Sequence, residues 1–343
     1  MVGVVITAMI SAIVMILVVL IIRYVAGKQI SKMAFMLIWG IIAVRLLFPF
    51  ELTSNISIWN FIDNPTTTQP SGYYTENSLS WFTILIGIWL VGVVVFGLYF
   101  YINHTRFRKS IRDATPVTNE YVLEWQKYNS TFRSIEIKQS EKINSPLTYG
   151  ILKPMIVLPD IIEMYEEEEL KHILAHEYVH IRRFDYLWKI ILAAVLSLHW
   201  FNPFVWLMYI AANRDIELSC DEIVLKVLDK KSSANYAMTL INAADSQNQL
   251  AMLHSGFAKH ALEERVKAIL ETRKKSNIGA TLAVVLTVVT LLVFAAPVVA
   301  RINHFVGLTD DGRLFINGEE INLDDYTNEH GTPIIVMPGA VVD

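Results

Sequence analysis

The sequence predicts a mainly α membrane protein: four transmembrane helices, an α+β cytoplasmic domain inserted between the third and fourth, and a membrane-associated helical hairpin within that domain. Three observations predict it. Of the 343 residues, 53% are hydrophobic and 18% charged, against about 25% charged in ordinary soluble domains. The apolar excess gathers into a few long runs, each near the roughly 20 residues that a bilayer requires. Lys and Arg gather beside these runs on alternate sides, as cytoplasmic loops do.

The spans are expected at about 2–22, 33–50 and 81–102, making residues 1–102 a three-helix unit, with the fourth at 278–300. The first run is too long for a removed signal peptide and lacks a small-residue cleavage site. Arg45 interrupts the second near its end and either snorkels to the headgroups or pairs inside the bundle. Arg23, Lys28 and Lys32 occupy the first loop, and the loop at 51–79 has no Lys or Arg. Arg106, Arg108, Lys109 and Arg112 follow the third span, and Arg273, Lys274 and Lys275 precede the fourth. The first loop and residues 103–277 are therefore expected in the cytoplasm. The N-terminus, the second loop and a short tail at 301–343 are expected outside. A net charge of -4 names no partner, and nucleic acid is not expected as a direct one. A single cysteine, Cys220, excludes an intrachain disulfide and fits a reducing compartment.

Residues 103–277 are the only segment long enough for a catalytic domain. A basic helical stretch opens it. Ser134 to Gln139 alternates with period two and predicts a strand. Ser145 to Pro159 predicts a strand pair or an edge strand bounded by prolines, where prolines are tolerated. Glu166 to Glu169 place acids at the start of a helix running through Leu170 and Leu174 to His180. The apolar stretch 186–212 is broken at His199-Trp200-Phe201-Asn202-Pro203. Its arms are too short to cross alone, so it is read as a hairpin dipping into or lying on the membrane. In the tail, Asp310-Asp311-Gly312 and Asn317-Gly318 are turn signals.

The chemistry centres on His176-Glu177-Tyr178-Val179-His180. Histidines at i and i+4 of a helix share a face and can bind one Zn2+ ion. Glu177, one step round, can take a proton from a zinc-bound water and pass it to a leaving amine. A catalytic zinc needs a third protein ligand. The position where a further histidine would serve is Tyr186. Asp185 follows Arg182 and Arg183 and is read as an ion pair at the helix end. Glu217 is expected as the third metal ligand, with Asp221, one turn on, orienting a ligand histidine from outside the metal shell. A single crossing by 186–212 would put His180 and Glu217 on opposite sides of the membrane, which independently favours the hairpin. Cys220 is read as a packed residue whose acidic neighbours disfavour its thiolate. His172 and His199 are read as packing or surface histidines. His254, His260, Tyr236 and Arg265 are weak candidates for stabilising an oxyanion.

Several segments in order resemble the BlaR/MecR-type sensor-transducer membrane metallopeptidases. They are Trp39 to Phe50, Ser145 to Pro159, His176 to Asp185, His199 to Pro203 with Trp206, and Arg214 to Asp221. The resemblance covers roughly residues 1–300 and implies a gluzincin-like domain, a zincin variant, in a multi-pass protein of the bacterial cell membrane. It carries over His176, His180 and Glu217 as zinc ligands and Glu177 as general base. It also implies a zinc-dependent endopeptidase in signal transduction, cleaving itself or a cytoplasmic regulator such as a transcriptional repressor. The tail at 301–343 is too short for the extracellular penicillin-binding domain of antibiotic-sensing members, so direct β-lactam sensing is not expected. The partners implied are a protein substrate, for which a winged-helix repressor is the candidate, the lipid bilayer, and a second copy in a homodimer. Two other readings remain open at this point: a housekeeping membrane protease for quality control or maturation, and a non-catalytic receptor whose metal site is structural.

Overall fold

The computed structural model describes residues 2–48, 53–54, 81–129, 133–228, 232–248 and 255–271, scattered positions in 279–289, and short strands between 296 and 321. Contacts divide it into two units. One comprises 1–50 and 79–291, the other 51–78 and 292–343.

The larger unit begins with α1 (Val2–Ala26) and α2 (Lys32–Leu47), followed by α3 (Trp81–Ser110). Two described helices are long and apolar enough to cross a membrane, through Met9–Ala26 and Thr83–Ser110. α3 leaves Ile88, Val91, Val95 and Leu98 exposed, as a lipid-facing helix would. α2 spans 16 residues, about 24 Å at 1.5 Å per residue, which is shorter than the expected run. Arg45 is 7% exposed, so it lies inside the packing instead of reaching outward. The fourth expected span falls largely outside the described residues.

The hairpin is present as α6 (Asp185–Leu198) and α7 (Pro203–Val227). Asn202 caps α7 by accepting from the Phe204 amide, and Pro203 opens it, where a missing N–H costs nothing. Its arms pack on the first two helices: Ile16, Val19, Ile38, Trp39 and Ile42 share a core with Leu192, Val195, Val205, Met208 and Ile216. Tryptophans tie the hairpin tip to α3. Trp89 Nε1 donates to the Leu198 carbonyl at 2.9 Å and Trp200 Nε1 to that of Trp89 at 3.3 Å. Gly92 makes room there, because a Cβ would run into the Trp200 ring.

Beyond α3 lies a four-stranded sheet. β2 (Thr115–Pro116), β3 (Glu136–Ser140), β4 (Leu147–Tyr149) and β5 (Met155–Pro159) stand in the order β2-β3-β5-β4, with α4 (Glu120–Tyr128) between β2 and β3 in sequence. β3 and β5 are parallel and β4 is antiparallel to β5. The 145–159 segment is thus both a strand pair and, through β4, an edge strand. Gly150 turns it at φ +94, where a Cβ would sit 2.6 Å from the Lys153 carbonyl. Ile137, Ile156 and Leu158 of the sheet bury against Leu170, Ile173 and Leu174 of α5 (Glu167–Arg183). A capping box between Glu166 and Glu169 starts α5, satisfying amides that have no helical partner. α8 (Ser233–Asn248) and α9 (Ser255–Leu270) close the unit against α7, through Cys220, Val224, Tyr236 and Ile269.

In the second unit, β1 (Thr53–Ser54) pairs in parallel with β6 (Ala296–Pro297). β7 (Val306–Leu308), β8 (Leu314–Ile316) and β9 (Glu319–Ile321) form an antiparallel meander. The Asp310-Asp311-Gly312 and Asn317-Gly318 turn signals lie outside the described residues.

Candidate metal centre

α5 presents His176, Glu177 and His180 to a cleft of roughly 430 Å³ between the sheet, the hairpin and α8–α9. Each is less than a tenth exposed. The Nε2 atoms of His176 and His180 face each other at 3.1 Å. Glu217, brought in by α7, places Oε2 at 3.6 Å from both. Three donors at tetrahedral positions about 2.0–2.1 Å from zinc would lie roughly 3.3–3.4 Å apart. The observed triangle has nearly those edges, so the residues fit a single ion.

The other nitrogen of each histidine is held from behind, the arrangement that fixes a ligand's tautomer and orientation. Asp185 Oδ2 lies 2.6 Å from His180 Nδ1. This follows from the backbone at Phe184, the only described non-glycine residue with positive φ (58°). Phe184 ends α5 in the left-handed conformation and starts α6 at once, swinging Asp185 back over the last turn. The expected ion pair exists too, with Arg183 Nη2 at 3.1 Å from Asp185 Oδ1. Reading Asp185 as an ion pair alone was therefore incomplete. On the other side, His176 Nδ1 is 2.9 Å from the Tyr236 hydroxyl and 3.3 Å from Asp221 Oδ1. Tyr236 donates to Asp221 Oδ1 at 2.7 Å. Arg265 grips both Asp221 oxygens, through Nε and Nη2, at 2.8 Å each. Asp221 thus reaches His176 directly and by way of Tyr236.

Cys220 also lies within ligand reach of the two histidines. Its Sγ sits 3.4 Å from His176 Nδ1 and donates to the His176 carbonyl at 3.3 Å. That contact is with Nδ1 of His176, and the side chain is fully buried in the α7–α9 core. Glu217 Oε2 stands equally far from the two facing Nε2 atoms.

Glu177 lies beside the triangle. Thr148 on β4 donates to Glu177 Oε2 at 2.6 Å and approaches its carbonyl at 3.2 Å. Lys189 of α6 reaches Glu217 Oε1 at 3.2 Å.

The charges are strongly coupled. Burial disfavours the imidazoliums of His176 and His180, but Cys220, Glu217 and the two aspartates hold both pKa values well above the usual imidazole range. Burial works against the Glu217 carboxylate, yet His180, Lys189 and His176 hold its pKa well below the usual value. Burial likewise opposes ionised Asp221, and Arg265 outweighs it, depressing that pKa. Burial pushes the Cys220 thiol up, while protonated His176 and His180 bring it below its usual value.

The structure brings together His176, Glu177, His180, Glu217 and Asp221. It adds Asp185 and Thr148, which were not expected at the site, and moves Tyr236 and Arg265 into it from the weak candidates. His172 is buried with Nδ1 3.0 Å from the Thr239 hydroxyl. His260 lines a separate hollow with Lys28 and Glu264. His254 lies outside the described residues. The close spacing of Asp185 after His180 was a usable signal, whereas Thr148, Tyr236 and Arg265 reach the site only through the fold.

Fold and cleft together have the make-up of a membrane-associated metallopeptidase. The model of the BlaR1 peptidase M56 family matches residues 4–269, and the chain belongs to that family. It is 27% identical over 250 residues to the regulatory protein BlaR1 of Bacillus licheniformis, covering 70% of this chain and 41% of that protein. It is 28% identical over 153 residues to the methicillin resistance mecR1 protein of Staphylococcus aureus, covering 42% of this chain and 26% of that protein. Against the regulatory protein BlaR1 of Staphylococcus aureus, identity is 22% over 307 residues, covering 81% of this chain and 52% of that protein. The chain thus spans between about a quarter and a half of the length of these relatives.

Proposed function

We propose that this chain is an integral membrane zinc endopeptidase of the gluzincin type, acting as a signal transducer. It would cleave itself, a cytoplasmic regulator such as a winged-helix transcriptional repressor, or both. The observation that carries the reading is the triangle of His176 Nε2, His180 Nε2 and Glu217 Oε2, with Glu177 beside it in the cleft. Family membership supports peptidase chemistry, and the relatives' names, regulatory protein and methicillin resistance protein, support a regulatory role.

His176, His180 and Glu217 would hold the zinc. The ion would supply Lewis acidity and lower the pKa of a coordinated water towards about 7. Asp185 and the Asp221–Tyr236 pair keep each histidine turned so that Nε2 faces the cleft. Glu177 accepts the water proton and delivers it to the departing amine nitrogen. Thr148 fixes the Glu177 carboxylate through one oxygen and leaves the other for that transfer. β4 pairs with β5 along one edge and lines the cleft with Leu147 and Thr148. A substrate in extended form would add to its other edge as a further strand.

The domain is proposed to face the cytoplasm, with the N-terminus and the tail outside. Pairing of β1 with β6 unites the second loop and the segment before the tail in one unit, which agrees with both lying on one side of the membrane.

The test is Glu177→Gln in the full chain. It should keep about one zinc per chain and lose proteolysis by about 10²–10⁴-fold. Undiminished cleavage by this variant would rule out Glu177 as the base.

A further inference from the structure

We propose that Arg265 is the catalytic oxyanion donor of this cleft, binding the carbonyl oxygen of the scissile peptide as that oxygen becomes an anion. The inference rests on the peptidase reading above and adds to it a residue with a role of its own.

Peptide hydrolysis needs such a group. As the water oxygen bonds to the carbonyl carbon, its proton passes to Glu177 and the C=O π pair moves onto oxygen. When that pair returns, the C–N bond breaks and the nitrogen takes the proton from Glu177. Between these events the former carbonyl oxygen carries a negative charge. A donor already fixed beside it lowers the barrier without reorganising at that moment.

The charged and phenolic groups lining the cleft can be taken in turn. Lys189 is turned to Glu217 Oε1 at 3.2 Å. The Tyr186 hydroxyl is 3.1 Å from His104 Nδ1, away from the ligands. The Tyr236 hydroxyl lies behind His176, between Nδ1 and Asp221. Arg265 differs from all three. Its Nε and Nη2 are fixed on Asp221, but the same guanidinium comes round to the metal side of the site. Nη2 is 3.4 Å from His176 Nε2, and Nη1 is 3.8 Å from Glu217 Oε2. Nη1 makes no bond to Asp221, which leaves it able to donate to an oxygen held beside the ligand atoms.

The anchoring also explains how a cation can stand next to a metal site. Asp221 is 2% exposed and offsets the guanidinium charge, and a bidentate grip fixes the plane of the fork. Arginine does not lose its proton in proteins, so the donor is present at every working pH. A structural role for Arg265, neutralising Asp221, leaves unexplained why the fork lies against the two ligand atoms themselves.

The experiment compares the wild-type full chain with Arg265→Gln and Arg265→Lys in detergent micelles after zinc loading. Zinc content is measured together with calorimetric binding of two probes: a peptidyl phosphonamidate, a tetrahedral anion, and a peptidyl hydroxamate, a planar chelator. Casein hydrolysis gives kcat and KM. Arg265→Gln should keep its zinc and bind hydroxamate within a few-fold of wild type. Its phosphonamidate affinity and kcat should fall by about 10²–10³-fold, the scale for a lost oxyanion donor, with KM little changed. Arg265→Lys keeps the charge against Asp221 and so guards against misfolding of the Gln variant. Its single ammonium cannot hold Asp221 and also reach the cleft, so it should show the same selective loss. Loss of zinc, or equal weakening of both probes in both variants, would reduce Arg265 to a positioning residue and overturn the proposal. A wild-type chain that holds no zinc and cleaves no casein would instead overturn the peptidase reading beneath it.

Discussion

Removing the Asp185 carboxylate should weaken zinc binding although Asp185 cannot touch the ion. Its Oδ2 lies 2.6 Å from His180 Nδ1, and the residue is 1% exposed. A proton held on Nδ1 by this contact leaves the Nε2 lone pair for the metal. A hydrogen bond to a charged group is worth about 1.5–3 kcal/mol. With 1.4 kcal/mol per tenfold in affinity, Asp185→Ala should weaken zinc binding by about 10–100-fold, the usual scale for an outer partner of a ligand histidine. The same change leaves Arg183, 8% exposed at its side chain, without its carboxylate. Breaking a buried pair in this way costs about 3–5 kcal/mol, so the melting temperature should fall as well. Asp185→Asn separates the two effects. Its amide oxygen still accepts from Nδ1–H but carries no charge, so zinc affinity should fall by less than in the alanine variant. Competition with a chelator of known affinity measures both variants. If Asp185→Ala binds zinc as tightly as wild type, the contact does not orient His180 and the account of the ligand shell is wrong.

Thr148→Val keeps the shape of the β4 residue but removes the 2.6 Å bond to Glu177 Oε2. It should lower kcat by about tenfold, from a misplaced base, with zinc content unchanged, and Thr148→Ser should restore most of the rate. Asp221 has its folded pKa depressed by Arg265 against the opposing effect of burial. For a depressed carboxylate, the stabilisation is fully present above the unfolded pKa of about 3.9 and is lost as pH falls towards the folded value. Acid unfolding of wild type should therefore steepen below about pH 4, and Asp221→Asn should flatten that limb; identical limbs would refute the coupling.

Much of this was legible in the sequence because it rests on local rules. The His176–His180 spacing, the acids at the start of α5 and the Asn202-Pro203 break each act within one or two turns of helix. Glu217 was singled out as a downstream acid one helical turn before Asp221, and its pairing with His180 in turn favoured the hairpin, because two ligands of one ion cannot sit on opposite sides of a bilayer. Asp185 was half read, since Arg183 in the sequence accounted for its charge. Its second role depends on a left-handed Phe184, a conformation uncommon for a bulky residue and not announced by composition. Phe184 is held by Arg133, whose guanidinium lies 3.9 Å from the ring centroid, while Arg133 Nη2 donates to the Ile181 carbonyl. A contact across 51 positions leaves no periodic trace. The same holds for Thr148, whose neighbour Glu177 is 29 residues away, and for Arg265, 44 residues from Asp221.

α7 shows why the candidate metal site and the first two helices cannot be considered apart. Glu217 and Asp221, one turn apart, make one stripe of this helix and face α5. Asp215 and Glu222, two turns apart, make another stripe, and residues two apart on a helix point in nearly opposite directions. Asp215 accepts from Arg23 Nε at 3.1 Å and from Trp39 Nε1 at 2.9 Å. Glu222 accepts from the Ser31 hydroxyl at 3.2 Å and from the Lys32 amide at 3.1 Å. Arg23 also reaches Glu264, the residue before Arg265, at 3.3 Å. The end of α1, the loop at 27–31 and α2 thus grip one side of the helix whose other side carries Glu217. Packed helices shift between discrete arrangements more readily than they deform. The position of Glu217 over the two imidazoles is accordingly set from both sides, by α5 and by the α1–α2 pair.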